Sequence, residues 1–534
     1  MIKKHSSHIK YLVLIIAFMV SVIATSVVMY LDLANASGDS IARLNLSRRV
    51  VDGTSPGFSQ LGYVWLPAPS LLMLPMIWSD AFYYSGFAGI LLSMIAFVLA
   101  GWFLFRIGDI VAGPVAGGFA ALIFMLNPNT LYMQSTPLSE MFYIAAMLGA
   151  LMYALLWARY SKEMYLVASG AAFLFATLSR YDGWIFAIAT VCLVSLYLYL
   201  TSRDFRKMEA TVILFATFAF LGPLLWLSWN YAIFDNPFYF AIGEYSSKGQ
   251  QESLAAAGFL PSKGDLPSAL AHVWYATQMV SGWALLICSV FGLLFVLRQI
   301  FVKKQLRYLF VILLGVHIAY YILNVFSGNA VIFVPQLAPY LLFNVRYALM
   351  FLPLFALLVG VLGARFHRLG ILMLVIILAE YGVMLINDNV VTLHEAIEGF
   401  AGAQVNESRL QGGKWLRGNY DKGLILVDVF NNDAVPFASH VPFKYWVHTG
   451  DPALFGAALK APERVVDWVV LREKDSIDER FRGGEWLADN FDCVYSYQDI
   501  EIYHIRTDER SRIVASDCKV GTQRAGAESG REAL

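Results

Sequence analysis

The chain has 534 residues, of which 58% are apolar and 15% charged, and its formal net charge is zero. Soluble domains carry about 25% charged residues, so the composition points to a protein that hides apolar surface in lipid. Zero net charge removes bulk electrostatic capture of nucleic acid, and four cysteines with no CxxC and no Cys/His cluster argue against a zinc site or a disulfide scaffold.

The first apolar run, near residues 11–31, is long enough to span a bilayer. It is too long and too late for a cleaved signal peptide and reads as an uncleaved first helix. Ten more runs follow, near 83–105, 111–127, 138–157, 164–178, 184–200, 210–228, 273–297, 308–326, 346–363 and 369–387. Together they predict a polytopic α-helical membrane protein with about eleven transmembrane helices.

Lysine and arginine in short loops set the orientation. Lys3, Lys4 and Lys10, then Arg106, Arg159 with Lys162, Arg203 to Lys207, Arg298 to Arg307, and Arg365 with Arg368 occupy alternate connections. Those loops are expected to be cytoplasmic, as is the N-terminus. The other connections are expected to face outward, and an odd number of spans sends the C-terminal part to the same side.

The outward set contains most of the polar residues of interest. Asp39 stands in the first loop with Arg43, Arg48 and Arg49, followed by Tyr63-Val-Trp-Leu-Pro-Ala-Pro69. Glu140, Arg180, Asp182, Glu244 and Arg346 come to the same surface from distant parts of the chain. Outward arginines run against the positive-inside tendency, and an anionic phosphate gives a reason for them, because guanidinium is a permanently charged planar fork.

This ordered layout resembles the GT-C membrane glycosyltransferases that use polyprenyl-phosphate sugars, in particular the protein O-mannosyltransferase and aminoarabinose transferase (family 39-like) branch. The resemblance rests on Asp39, on Tyr63, Trp65, Pro67 and Pro69 leading into a helix, and on Thr136-Pro-Leu-Ser-Glu140. Arg180-Tyr-Asp182-Gly-Trp184 and Asn344-Val-Arg346-Tyr347 complete it, over roughly residues 1–390. It implies that Asp39 is the general base activating an acceptor hydroxyl or amine, and that transfer is an inverting displacement. Some members carry an Asp-Glu pair in this loop, whereas Asp39 here has Gly38 and Ser40 as neighbours. The candidate substrate-binding residues are Glu140, Arg180, Asp182, Arg346, Tyr347, Arg43, Tyr63 and Trp65.

A phosphate monoester with a second pKa of about 6 is already a good leaving group. Such a reaction needs a base and fixed positive charge, supplied here by Asp39 and by Arg346 with Arg180 or a loop arginine, and no strong acid. No cofactor and no metal is expected. The expected partners are membrane lipid, the lipid-linked sugar and an extracytoplasmic protein, lipid or glycan acceptor, in the plasma (inner) membrane.

Each residue also has a plainer reading. Asp39 can cap a helix, with Arg43 as its i+4 partner. Glu140 can be a first-turn carboxylate favoured by the helix dipole, and Arg180 with Asp182 a local ion pair at a turn relieved by Gly183. Arg346 can snorkel, and Tyr63, Trp65 and Tyr347 can belong to an interfacial aromatic belt. Glu380, inside a run, is either an interhelical contact or a misplaced boundary, since lipid-facing charge is costly. At the level of the whole protein, a glycan polymerase or ligase shares the outward chemistry. A transporter would need broken helices in paired repeats, which the sequence does not display clearly.

From residue 388 the composition changes. GLILVDVF and DWVVLRE read as strands, EAIEGFAGAQ and GGEWLADNF as helices, and VYSYQDIEIYHIR as a hairpin turning near Gln498 and Asp499. A small extracytoplasmic α/β domain is expected over 388–507, then a polar tail over 508–534 whose composition predicts disorder. Asp428, Asn431, Asn432 and Asp433 read as a polar turn or a weak ligand site. Cys192 and Cys288 fall in apolar segments, while Cys493 and Cys518 can pair if this part faces an oxidising compartment.

Overall fold

A computed structural model describes residues 2–506 apart from 203, 244–245, 257, 431 and 482–484. Among them, eight helices are long and apolar enough to cross a membrane, from Ile9–Tyr30 to His367–Glu398, and a pair bent by 46° adds a ninth if counted as one span. The bend falls between Phe205–Ala219 and Leu221–Phe234, where Pro223 lacks the N–H that an unbroken helix would use. Eight or nine of the expected eleven spans thus have the length of a full crossing among the described residues. Pro114–Met125 and Glu163–Thr177 are apolar helices of 12 and 15 residues, shorter than the roughly 20 residues that cross a bilayer unaided. The apolar run at 273–297 is two helices, Leu266–Ser281 and Trp283–Phe301, separated at Gly282.

The chain divides into two compact units, one of residues 1–47 and 61–404, the other of residues 48–60 and 405–534. The sequence boundary at 387/388 therefore moves. Helix Val391–Glu398 packs on helix Pro128–Met133 and on the 3-10 segment Val345–Phe351, because it is tied there by side chains described below.

In the first unit the spans are not equivalent. In the most apolar 18-residue stretch of each, 89% of the residues are buried in Val345–Arg365 and 72% in Glu140–Tyr160, against 22% in Ile9–Tyr30. The first two form the centre of the bundle, and the third presents most of its surface outward, as a lipid-contacting helix does. Close approach at the centre requires glycine: a Cβ on Gly108 would fall 2.6 Å from the Gly117 Cα, so helices Phe87–Ala112 and Pro114–Met125 meet backbone to backbone.

Glu380 is an interhelical contact. Its carboxylate accepts from the Trp283 and Ala284 N–H groups at 2.7 and 2.8 Å, satisfying the donors that every helix N-terminus leaves open.

The second unit carries a five-stranded sheet in the order β2-β1-β3-β5-β4. Strands β1 (Ile425–Val427), β2 (Trp446–Val447) and β3 (Trp468–Arg472) run parallel, and β4 (Phe491–Tyr497) with β5 (Ile500–Ile505) forms the antiparallel hairpin expected around Gln498. Asp428 belongs to a satisfied turn: its carboxylate accepts from Phe430 N at 3.0 Å and from Ser476 Oγ at 2.6 Å. Asn431 lies outside the described residues. Cys493 is disulfide-bonded, Cys192 and Cys288 are free, and Cys518 with the tail lies outside the described residues.

Candidate active site

Four separate segments of the first unit deliver the site. Helix Gly38–Asp52 begins with Asp39 in its first turn, the Gly38 N–H donating to the Ala401 carbonyl at 3.0 Å. Helix Glu140–Tyr160 begins with Glu140, and the approach to it is held by Ser93 Oγ, which donates to the Thr136 carbonyl at 2.7 Å. Arg180 and Asp182 sit in the turn between Glu163–Thr177 and Asp182–Thr201. There a Cβ on Gly183 would stand 2.8 Å from the Ala176 carbonyl, which is why the turn can be so tight. Arg346 lies in the 3-10 segment Val345–Phe351, after Asn344 at φ 55°.

These groups form one ionic network. The Arg346 guanidinium donates from Nε to Glu140 at 3.2 Å, from Nη1 to Glu395 at 2.7 Å, and from Nη2 to Asp39 and to the Asn344 side chain. Arg180 donates to Glu140 and to Asp182, both at 3.1 Å, and to the Tyr321 hydroxyl at 2.9 Å. The Tyr321 hydroxyl in turn donates to Asp182. Glu140 thus joins the two arginines. Its side chain is 3% exposed, while that of Asp39 is 32% exposed, so Asp39 is the network carboxylate a substrate reaches most readily.

Arg43 differs from the other two arginines. It lies over the Trp65 ring at 4.4 Å, is 8% exposed, and its Nε and Nη1 have no hydrogen-bond partner among the described residues. A buried guanidinium with open donors is costly unless an anion meets it. Tyr347 is half-buried, with Arg180 4.7 Å from its ring centre.

The predicted residues Asp39, Glu140, Arg180, Asp182 and Arg346 therefore meet, with Tyr347 beside them and Trp65 beneath Arg43. Tyr63 belongs to another group, its ring packed on Phe234 and Tyr239 at 5.0 and 4.5 Å. Arg48 pairs with Asp52 at 3.3 Å, and both Arg48 and Arg49 fall in the second unit. Glu244 lies outside the described residues. One expectation is corrected: Asp39 pairs with Arg346 and not with its helical neighbour Arg43. Three carboxylates share the Arg346 guanidinium. Sequence reasoning missed Glu395, placed in the wrong domain, and Tyr321, hidden in an apolar run. Neither position carries a local signal. Among the described residues no three His, Cys, Asp or Glu side chains are grouped to hold a metal ion.

A second feature is an apolar groove of about 520 Å³ in the same unit. Trp274, Trp283, Val290, Ile318, Ile322 and Phe355 are among the residues that line it.

No protein-family model and no curated protein matches the sequence. Among solved structures, ArnT from Cupriavidus metallidurans bound to undecaprenyl phosphate is similar at a TM-score of 0.56 and 15% identity, over 92% of this chain and 97% of that one. Its apo state gives 0.53 and 15%, over 90% and 96%. The Archaeoglobus fulgidus oligosaccharyltransferase in complex with Zn and sulfate gives 0.51 and 14%, over 92% and 73%. The chain shares the fold of these solved structures along nearly its whole length.

Proposed function

We propose that the chain is an integral membrane glycosyltransferase that moves a sugar from a polyprenyl-phosphate donor to an extracytoplasmic acceptor, with Asp39 as the general base. The observation that carries this reading is the meeting of Asp39, the most exposed carboxylate of the network, with the arginines of distant segments inside a GT-C fold.

In this reading Arg346 holds the Asp39 carboxylate in one orientation, and Asp39 takes the proton of the acceptor hydroxyl or amine as that group attacks the sugar carbon. The bond from that carbon to the phosphate oxygen breaks on the opposite face. Arg43, with its open donors, holds the departing phosphate, and the weak basicity of that group removes the need for an acid. The apolar groove suits a prenyl chain, and the likeness to ArnT bound to undecaprenyl phosphate supports this class of donor.

The site and the second unit are assigned to the extracytoplasmic side. The lysines and arginines concentrated in the alternate connections support this, because such loops stay cytoplasmic. The deciding experiment compares wild type with Asp39→Asn for transfer from labelled polyprenyl-phosphate sugars in membranes. Full turnover by a normally expressed Asp39→Asn protein excludes Asp39 as base.

A further inference from the structure

Helix Val391–Glu398 forms the end of the last membrane-length segment, after the helix His367–Ile386, and is fixed by one asparagine. The Asn129 Oδ1 accepts from Thr392 N at 3.0 Å and from Thr392 Oγ1 at 3.1 Å. Its Nδ2 donates to the Val280 carbonyl at 3.2 Å, which also receives Asn127 Nδ2 at 2.9 Å. The helix is thereby bolted to the bundle, and Glu395, one turn on from Thr392 and 4% exposed, has a set position.

Both oxygens of Glu395 are spent on one short stretch. Oε1 accepts from Asn344 N at 3.0 Å and from Arg346 Nη1 at 2.7 Å, and Oε2 accepts from Arg346 N at 3.0 Å. A single carboxylate thus grips the main chain and the side chain of the same arginine. That leaves the guanidinium little rotational freedom, and its remaining edge is aimed at Asp39 and Glu140. Glu395 itself makes no hydrogen bond to Asp39.

We infer that Glu395 is a positioning residue: it aims Arg346 at Asp39. Its catalytic meaning rests on the reading of Asp39 as base, but the aiming itself can be tested without any substrate.

The test labels carboxyl groups of the full-length protein in detergent with a water-soluble carbodiimide and glycine ethyl ester, and reads each site by peptide mass spectrometry. Losing the grip on Arg346 should raise the Asp39 labelling rate in Glu395→Ala about fivefold, the equivalent of about 1 kcal/mol of lost ion pairing. Exposed Asp265 should be unchanged, which a general loosening of the fold would not allow. If the alanine variant does not fold, Glu395→Gln serves, since its amide oxygen still accepts from the main chain but no longer carries charge. It should raise Asp39 labelling at least about twofold, an effect of a few tenths of a kcal/mol. An unchanged Asp39 rate in a folded variant, or an equal rise at Asp265, overturns the inference. Altered Asp39 labelling in a protein whose wild type transfers no lipid-linked sugar upholds the positioning role and removes the donor reading instead.

Discussion

Arg346 Nη2 donates to the Asp39 carboxylate, joining residues 307 positions apart and bringing the first loop of the chain to the start of one of its most buried helices. The same guanidinium is shared with Glu140 and Glu395, so Asp39 holds one corner of a network and not an isolated pair. Its greater exposure leaves it free to meet a substrate.

Asp39→Asn keeps the shape of the side chain and removes its basicity. Transfer should fall by about 10²–10⁴-fold, the usual worth of a positioned base. Expression and melting temperature should stay close to wild type, because the amide oxygen still accepts from Arg346. Radiolabelled sugar transfer in membrane vesicles, with a parallel thermal melt, measures both.

Arg43→Met retains the packing on Trp65 and deletes the open donors. If the proposed donor class holds, affinity for a polyprenyl phosphate should weaken by at least about 30-fold, or about 2 kcal/mol, as for loss of one partner of a desolvated charge pair. Native mass spectrometry of the lipid-loaded protein gives the ratio, and equal retention by both proteins would assign Arg43 to packing alone.

Arg346→Ala strands three carboxylates around an empty space. The expected result is a loss of about 3–5 kcal/mol of stability, as when a buried pair loses one member, together with loss of transfer. Arg346→Lys should recover part of the stability and little of the activity, since an ammonium cannot reach Asp39, Glu140 and Glu395 together in the planar arrangement. Melting curves set against turnover separate the two effects.

Val290 lines the apolar groove and is 55% exposed, so a larger side chain there can be accommodated without disturbing the core. Val290→Trp should reduce retention of a long prenyl phosphate by about 1 kcal/mol or more through crowding. A short-chain analogue should be unaffected. Identical loss for both chain lengths would place the lipid elsewhere.

His448, in the second unit, is fully buried, and its Nδ1 accepts from Gly450 N at 2.9 Å. Burial and then the nearby Arg49 charge hold its imidazole well below the usual histidine range. The folded unit therefore keeps the neutral ring while the unfolded chain takes up a proton as pH falls through about 6.5. The contribution is fully present above that pH and is lost progressively below it. Hydrogen exchange over residues 441–450, corrected for intrinsic rates, should show protection falling between pH 7 and pH 5 in wild type and a flatter profile in His448→Asn.

Much of the site was legible in the sequence because its residues break local rules. Arginines in the connections outside the Lys/Arg-rich set, carboxylates at the mouths of apolar helices, and the Arg180 to Trp184 turn are all written in neighbouring letters, and the first-loop aspartate stands out against them. The strands and hairpin of the second unit were legible for a similar reason, since period-two patterns and turn residues are local.

What the tertiary structure alone decided was partnership and extent. Asp39 had an obvious helical partner in Arg43, yet distant Arg346 takes it, because Glu395 has already fixed that guanidinium in place. Glu395, Tyr321 and Asn129 carry no mark in the sequence, since what singles them out is the neighbour that folding supplies. Hydropathy likewise did not tell full-length spans from shorter apolar helices. Apolar helices of 12 and 15 residues at Pro114–Met125 and Glu163–Thr177 have the composition of spans without the length, and only their packing on longer helices accounts for their apolar faces.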